Sequence, residues 1–193
     1  MKKLVFALLL VPSAAQAQDV ARWNWGDDRS IPVISTAAYP IQMIKSREGK
    51  CFASYTGLVT TAGTTEVPFF LFVNVTTNTV SAYLDKFRYG TGSGAVVAAF
   101  KVYRNSVITS SGTALSIFNC NTGSSNTSKM MTFVSPTTSS FGQQVAIYAQ
   151  ESGARDSDLH FSRIIVPARS FLVTLQNNLP GTVNFAGVEW FEE

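Results

Sequence analysis

The sequence predicts an all-β protein, an antiparallel β-sandwich that is jelly-roll-like and carries an extended N-terminal arm. Three observations carry that expectation. From residue 50 onward, short apolar or alternating runs recur at regular spacing between Gly, Pro and Asn turns. Between Asn105 and Ser140, 17 of 36 residues are Ser or Thr, whose side chains compete with a helical backbone and suit strands and polar loops. No segment holds a sustained helical period.

The chain begins with Lys2 and Lys3, a short apolar run from Leu4 to Val11, then Pro12, Ser13 and the small-residue pattern Ala15-Gln16-Ala17. That three-part layout is a signal peptide over residues 1–17, and its apolar run is too short to span a bilayer. An uncleaved anchor is the alternative. Without Lys2 and Lys3 the balance of 15 basic and 12 acidic residues becomes 13 and 12. So neutral a chain, with its basic residues scattered, excludes nucleic acid as the main partner. Charged residues make up 14% and aromatics 12%, the composition of an extracellular β protein.

Residues 18–49 form the predicted arm. RWNWGDDRSIPVISTAAYPIQMIKSREGK holds two prolines, two nearby tryptophans and no sustained period. Trp23 and Trp25, two residues apart, point the same way from an extended segment. They either dock on a neighbouring subunit, stack on a sugar ring or cover an edge of their own domain.

Residues 50–193 form the predicted sandwich. Cys51 to Thr60 is the first expected strand. Val67 to Val75, VPFFLFVNV, is the most hydrophobic stretch after the leader; apolar on both faces, it is buried on both sides or lies against another subunit. Val80 to Tyr89 follows, ended by Gly90-Thr91-Gly92-Ser93-Gly94, a turn that lacks the lysine of a phosphate loop. In Ala95 to Arg104, Phe100 and Val102 face one way and Lys101 and Tyr103 the other. Thr113 to Phe118 and Lys129 to Ser135 are expected strands around the loop Asn119 to Ser128, with a turn at Pro136 to Ser140. Gln143 to Gln150 alternates, placing Val145, Ile147 and Ala149 on one face. Leu159 to Val166 and Ser170 to Gln176 flank Pro167-Ala168-Arg169. In the last strand, Thr182 to Phe191, apolar parity changes near Ala186-Gly187, which suggests a β-bulge.

Chemistry finds little support. A nucleophilic triad needs a histidine, and His160, the only one, sits mid-strand. The acids cluster in turns (Asp27 and Asp28, Asp156 and Asp158) or at the terminus (Glu189, Glu192, Glu193), with no facing pair picked out for glycoside cleavage. Asp156-Ser157-Asp158 has a spacing that could share calcium but lacks the other ligands of a dedicated loop. Two cysteines and one histidine do not complete a zinc site. The expectation is no enzyme, no metal and no cofactor. Asn74-Val75-Thr76 and Asn126-Thr127-Ser128 match the glycosylation pattern. Cys51 and Cys120 are the only cysteines; in an oxidising compartment they form a disulfide, and otherwise they are two buried thiols. Tyr89, with Trp23 and Trp25, is a candidate aromatic platform for a ligand.

From Gly112 to Thr137 the chain carries GTAL, IFN, GSSNTSKM, TF and SPT in that order. It ends on the strand Ser170 to Gln176, Asn177-Asn178 and a final strand closing with Glu189-Trp190-Phe191-Glu192; GKCFASYTGLVTTAGTTEVPFFLFVN opens it from Gly49. Over Gly49 to Glu193 these features resemble small structural proteins of tailed bacteriophages. The resemblance implies a head-decoration or fibre-type β-sandwich that assembles as a symmetric homo-oligomer, a trimer, without catalysis. The leader, the cysteine pair and the Trp-bearing arm depart from that pattern and point to the alternative, a secreted carbohydrate- or cell-surface-binding module. Export follows if the leader is used; otherwise the expected place is the virion.

Overall fold

The computed structural model describes residues 21–24, 30–33, 41–92, 97–150 and 157–193, and for 21–24, 30–33, 41–43 and 157–164 the backbone alone. The leader and Trp25 lie outside the described residues. The chain divides into two units, Met1–Ile44 and Lys45–Glu193. In the first, β1 (Ala21–Asn24) pairs antiparallel with β2 (Ser30–Val33), Trp23 opposite Ile31. A short helix, α1 (Ile41–Arg47), runs across the boundary. Two regular stretches thus interrupt what its composition predicts as an extended arm.

The second unit is a sandwich of antiparallel strands. After β3 (Cys51–Tyr55) and β4 (Val59–Thr61) come β5 (Val67–Asn74), β6 (Ala82–Thr91) and β7 (Ala98–Arg104). Then follow β8 (Val107–Ser110), β9 (Thr113–Ala114), β10 (Phe118–Asn119), β11 (Met131–Val134) and β12 (Thr137–Ser140). The chain closes with β13 (Gln143–Gln150), β14 (Ser157–Ile165), β15 (Arg169–Asn177) and β16 (Thr182–Glu192). One sheet has the order β10-β3-β16-β6-β14, with β4 also on β16; the other is β13-β7-β15-β5-β11-β9. The pairs β3 with β16, β5 with β15, β6 with β14 and β7 with β13 nest inside one another and alternate between the sheets. Nested pairing across two sheets is the jelly roll.

The inner faces meet through aromatic rings. Trp190 of one sheet stands edge-on to Phe72 of the other at 5.1 Å, and Tyr89 lies 4.9 Å from Phe100. In β5 a register shift against β15 leaves Phe69 as an extra residue, so Phe69, Phe70 and Phe72 all reach the core. β16 keeps one phase throughout: Asn184, Ala186, Val188 and Trp190 are all fully buried. The bulge expected near Ala186-Gly187 is therefore absent from β16, and the irregularity in this pairing falls at Asp85 of β6. The misleading residue is Asn184, buried because its amide donates to Thr61 Oγ1 and to the Thr182 carbonyl.

A second departure concerns residues 105–142. These join β7 to β13 as a two-stranded ribbon, β8 against β12, in place of the turn expected at Pro136 to Ser140. The ribbon leaves the sheet beside β15 at Arg104 and re-enters beside β5 at Val134. It bends at two corners. Asn105 (φ 57°) faces Gly142 (φ 81°), and Ser135 (φ 53°) faces Gly112 (φ 84°). A Cβ on Gly142 would collide with the Arg104 carbonyl, and one on Gly112 with the Val134 carbonyl. Because both attachment points lie partway along β15 and β5, the ribbon passes across the outer face of those strands. There Leu71 and Leu172, side by side and outside the main core, are nonetheless buried. Phe141 packs on Tyr103 at 5.5 Å. The doubly apolar β5 is thus covered on its outer side by its own chain.

Past β9, the chain crosses between the sheets. The strand expected over Thr113 to Phe118 splits: β9 pairs β11 in one sheet and β10 pairs β3 in the other. Between them Leu115 and Ile117 pack on the core. Ser54 Oγ donates to the Ser116 carbonyl and lies 2.7 Å from Thr132 Oγ1, so hydroxyls link both sheets to the crossing. In β13 a register shift at Val145 turns Val145 and Ala146 toward the core with Tyr148, while Ile147 and Ala149 are exposed. The single apolar face expected there is broken by that shift.

Two features make stability testable. Cys51 and Cys120 form a disulfide, Cα to Cα 5.3 Å, which ties β3 to the end of the crossing. The bridge spans 69 residues, and on the chain-entropy model its loss costs about 4 kcal/mol. Urea unfolding of Cys51→Ala/Cys120→Ala is expected to give that loss; an unchanged midpoint would exclude the bridge. On the outer face, Glu66 accepts from Lys101 Nζ (2.5 Å), Tyr103 OH (2.8 Å) and Thr174 Oγ1 (2.5 Å). Burial raises the Glu66 carboxyl, but those donors outweigh it and hold it below its ordinary 4.5. Burial and the Glu66 carboxylate push the Tyr103 hydroxyl up to about 12. A depressed acid stabilises above its unfolded pKa, so this contribution is lost as pH falls below 4.5. The raised tyrosine stabilises fully below 10, and that share is lost as pH climbs toward about 12. In urea titrations across pH, Glu66→Gln should flatten both limbs; a profile unchanged in shape would contradict the network.

Candidate functional site

The loop expected from Asn119 to Ser128 begins one residue later, after β10 ends at Asn119, and is built on polar side chains. Asn119 Oδ1 accepts from the Asn121 amide, Asn121 Oδ1 from Gly123 and Ser124 Oγ from Asn126, a series of short side-chain turns. The loop also reaches the end of α1. Gly49 (φ 67°) closes the helix, its amide bonding the Ser46 carbonyl at 2.9 Å. The remaining carbonyls receive side-chain donors: Asn121 Nδ2 to Arg47, and Asn126 Nδ2 to Glu48 and Gly49. Asn119 Nδ2 adds a bond to the Gly49 carbonyl at 3.0 Å.

Between this loop, the start of β3 and the end of β16 lies a groove of about 460 Å³. Phe52 and Val80 supply its apolar part, Ser125, Asn126 and Thr127 one polar wall, and Lys50, Lys129, Glu192 and Glu193 its charges. Glu192 is 7% exposed. Its Oε1 accepts from Ser128 Oγ at 2.5 Å and Trp190 Nε1 at 3.1 Å, and its Oε2 from the Lys129 amide at 3.1 Å. All three donors are neutral, and among the described residues no cation pairs with this buried carboxylate. Glu193 pairs with Lys45, and Lys50 lies 3.3 Å from Glu48. Lys129 has no ion pair among the described residues.

Of the residues singled out by sequence, the structure joins Cys51 and Cys120. Tyr89 is 5% exposed, stacked with Phe87 and Tyr148 in the core, so it offers no ligand platform. That is a correction: its strand alternation puts it on the inner face. Trp23 lies in β1 with only its backbone described, and Trp25 outside the described residues. Asn74 is fully buried and donates to the Val80 and Ile165 carbonyls, so it is no glycan acceptor. His160 and Asp158 lie in β14, with their side chains outside the description. Among the described residues no group of three His, Cys, Asp or Glu is placed to hold a metal, and no helix is long and apolar enough to cross a membrane. The groove was missed because Glu192 reads as a terminal acid; the signal that could have found it is that Glu192 shares the strand parity of the apolar Val188 and Trp190.

No protein-family model matches the chain, and no curated protein is similar to it in sequence.

The loop's hold on Gly49 can be tested directly. A Cβ at that position would collide with Ser124 Oγ in a backbone conformation suited to glycine. Gly49→Ala is expected to cost about 1–3 kcal/mol in calorimetry. An unchanged melting temperature would mean the loop does not pack there.

Proposed function

We propose that the chain is a non-enzymatic assembly protein, a virion-type decoration or fibre component that forms a symmetric oligomer. One observation carries the reading. From Asn105 to Gln150 the only charged residue is Lys129, in a chain of which 14% is charged. This span is not interior: Val107, Phe118, Met131 and Ile147 are 55%, 58%, 44% and 55% exposed. Exposed ribbons and end strands are ordinarily guarded by charge against other chains, whereas charge is depleted where subunits meet. An exposed β surface with its charges withdrawn fits a face covered by further copies. The jelly roll, common in capsid proteins and lectins, is compatible and decides nothing alone.

β5 no longer argues for assembly, since the chain's own ribbon covers it. The trimer rests on the phage resemblance. The alternative, a secreted carbohydrate- or cell-surface-binding module, is favoured by the polar groove beside the loop.

Sedimentation of the full chain across a dilution series tests the reading. An oligomer is expected, shifted toward monomer by Phe118→Asp/Met131→Asp with the melting temperature retained. A monomer at every concentration would overturn it.

A further inference from the structure

We propose that the groove between the Ser125–Lys129 wall and Glu192 binds a hydroxylated carboxylate, an acidic sugar unit of the uronic- or sialic-acid type. The inference stands apart from the assembly reading. Its volume of about 460 Å³ lies in the range of small-ligand clefts. Its chemistry narrows the ligand. Ser125 and Thr127 carry hydroxyls able to give and take hydrogen bonds, and Asn126, whose Nδ2 is spent on the Glu48 and Gly49 carbonyls, offers its Oδ1 as an acceptor between them, the partners that vicinal hydroxyls need. Glu192 Oε2 accepts one backbone amide and keeps acceptor capacity for a ligand hydroxyl.

The charge selects among polyols. Each of the other ionic groups lining the groove is engaged: Glu193 by Lys45, Lys50 by Glu48, Glu192 by three neutral donors. Among the described residues Lys129 is left as the cation of this lining without an ion pair. It is also the sole charge in the span from Asn105 to Gln150, so a cation has been kept at this wall where the neighbouring surface has none. A ligand carboxylate on the Lys129 ammonium, with ring hydroxyls toward Thr127 and Glu192, uses the whole lining.

The test titrates isotope-labelled full chain with glucuronate and N-acetylneuraminate, following amide shifts, with glucose and acetate as controls. Both acidic sugars are expected to saturate shifts at Ser125–Lys129 and Glu192, with glucose and acetate at least tenfold weaker. Lys129→Ala should lose at least tenfold in affinity while keeping its melting temperature, because the backbone amide that holds Glu192 remains. If that variant folds poorly, Lys129→Gln serves. Absence of saturable shifts, equal binding of glucose or acetate, or undiminished binding by the charge-neutral variant would each overturn the proposal.

Discussion

The outer face of β5 and β15 sets the constraint on which the structure depends. Leu71 and Leu172 project away from the core, and an apolar pair of that size on an open sheet must be covered. The covering is the ribbon, and the ribbon has consequences. To cross two strands and return to the same sheet, it must bend twice, and each bend pairs a positive-φ residue with a glycine. Having re-entered beside β5, the insertion then supplies the crossing that links both sheets and the loop that caps α1. Cover, edge closure and groove are therefore parts of one excursion between β7 and β13.

How the excursion is fixed explains its composition. Ser and Thr dominate because they satisfy turns and backbone carbonyls without large side chains: Ser106 Oγ bonds the Phe141 carbonyl, and Thr138 Oγ1 the Val107 carbonyl. The disulfide anchors the far end at β3, where two short strands would otherwise hold the crossing. Near-absence of charge is not required by any of these roles. That residue of unexplained neutrality is what makes the surface read as an interface.

Much of the sandwich was legible from residues alone. Alternation placed Phe100 and Val102 inward and Lys101 and Tyr103 outward, and the Cys51–Cys120 pair is joined. Legibility failed where polar side chains are buried or the register shifts. Asn184 broke the apparent phase of β16, Val145 that of β13, and Ser/Thr-rich β8 and β12 lack the apolar alternation that marks a strand. The groove was illegible for a different reason. Lys129 and Glu192 are far apart in sequence, and only the nested pairing brings the chain's end against the loop.

Hydrogen–deuterium exchange of the intact protein over a concentration series tests the central claim most directly. If the uncharged face is shared between copies, amides of residues 105–150 exchange more slowly as concentration rises, while those of β16, inside the sandwich, do not change. Exchange in residues 105–150 that is the same at every concentration would contradict it.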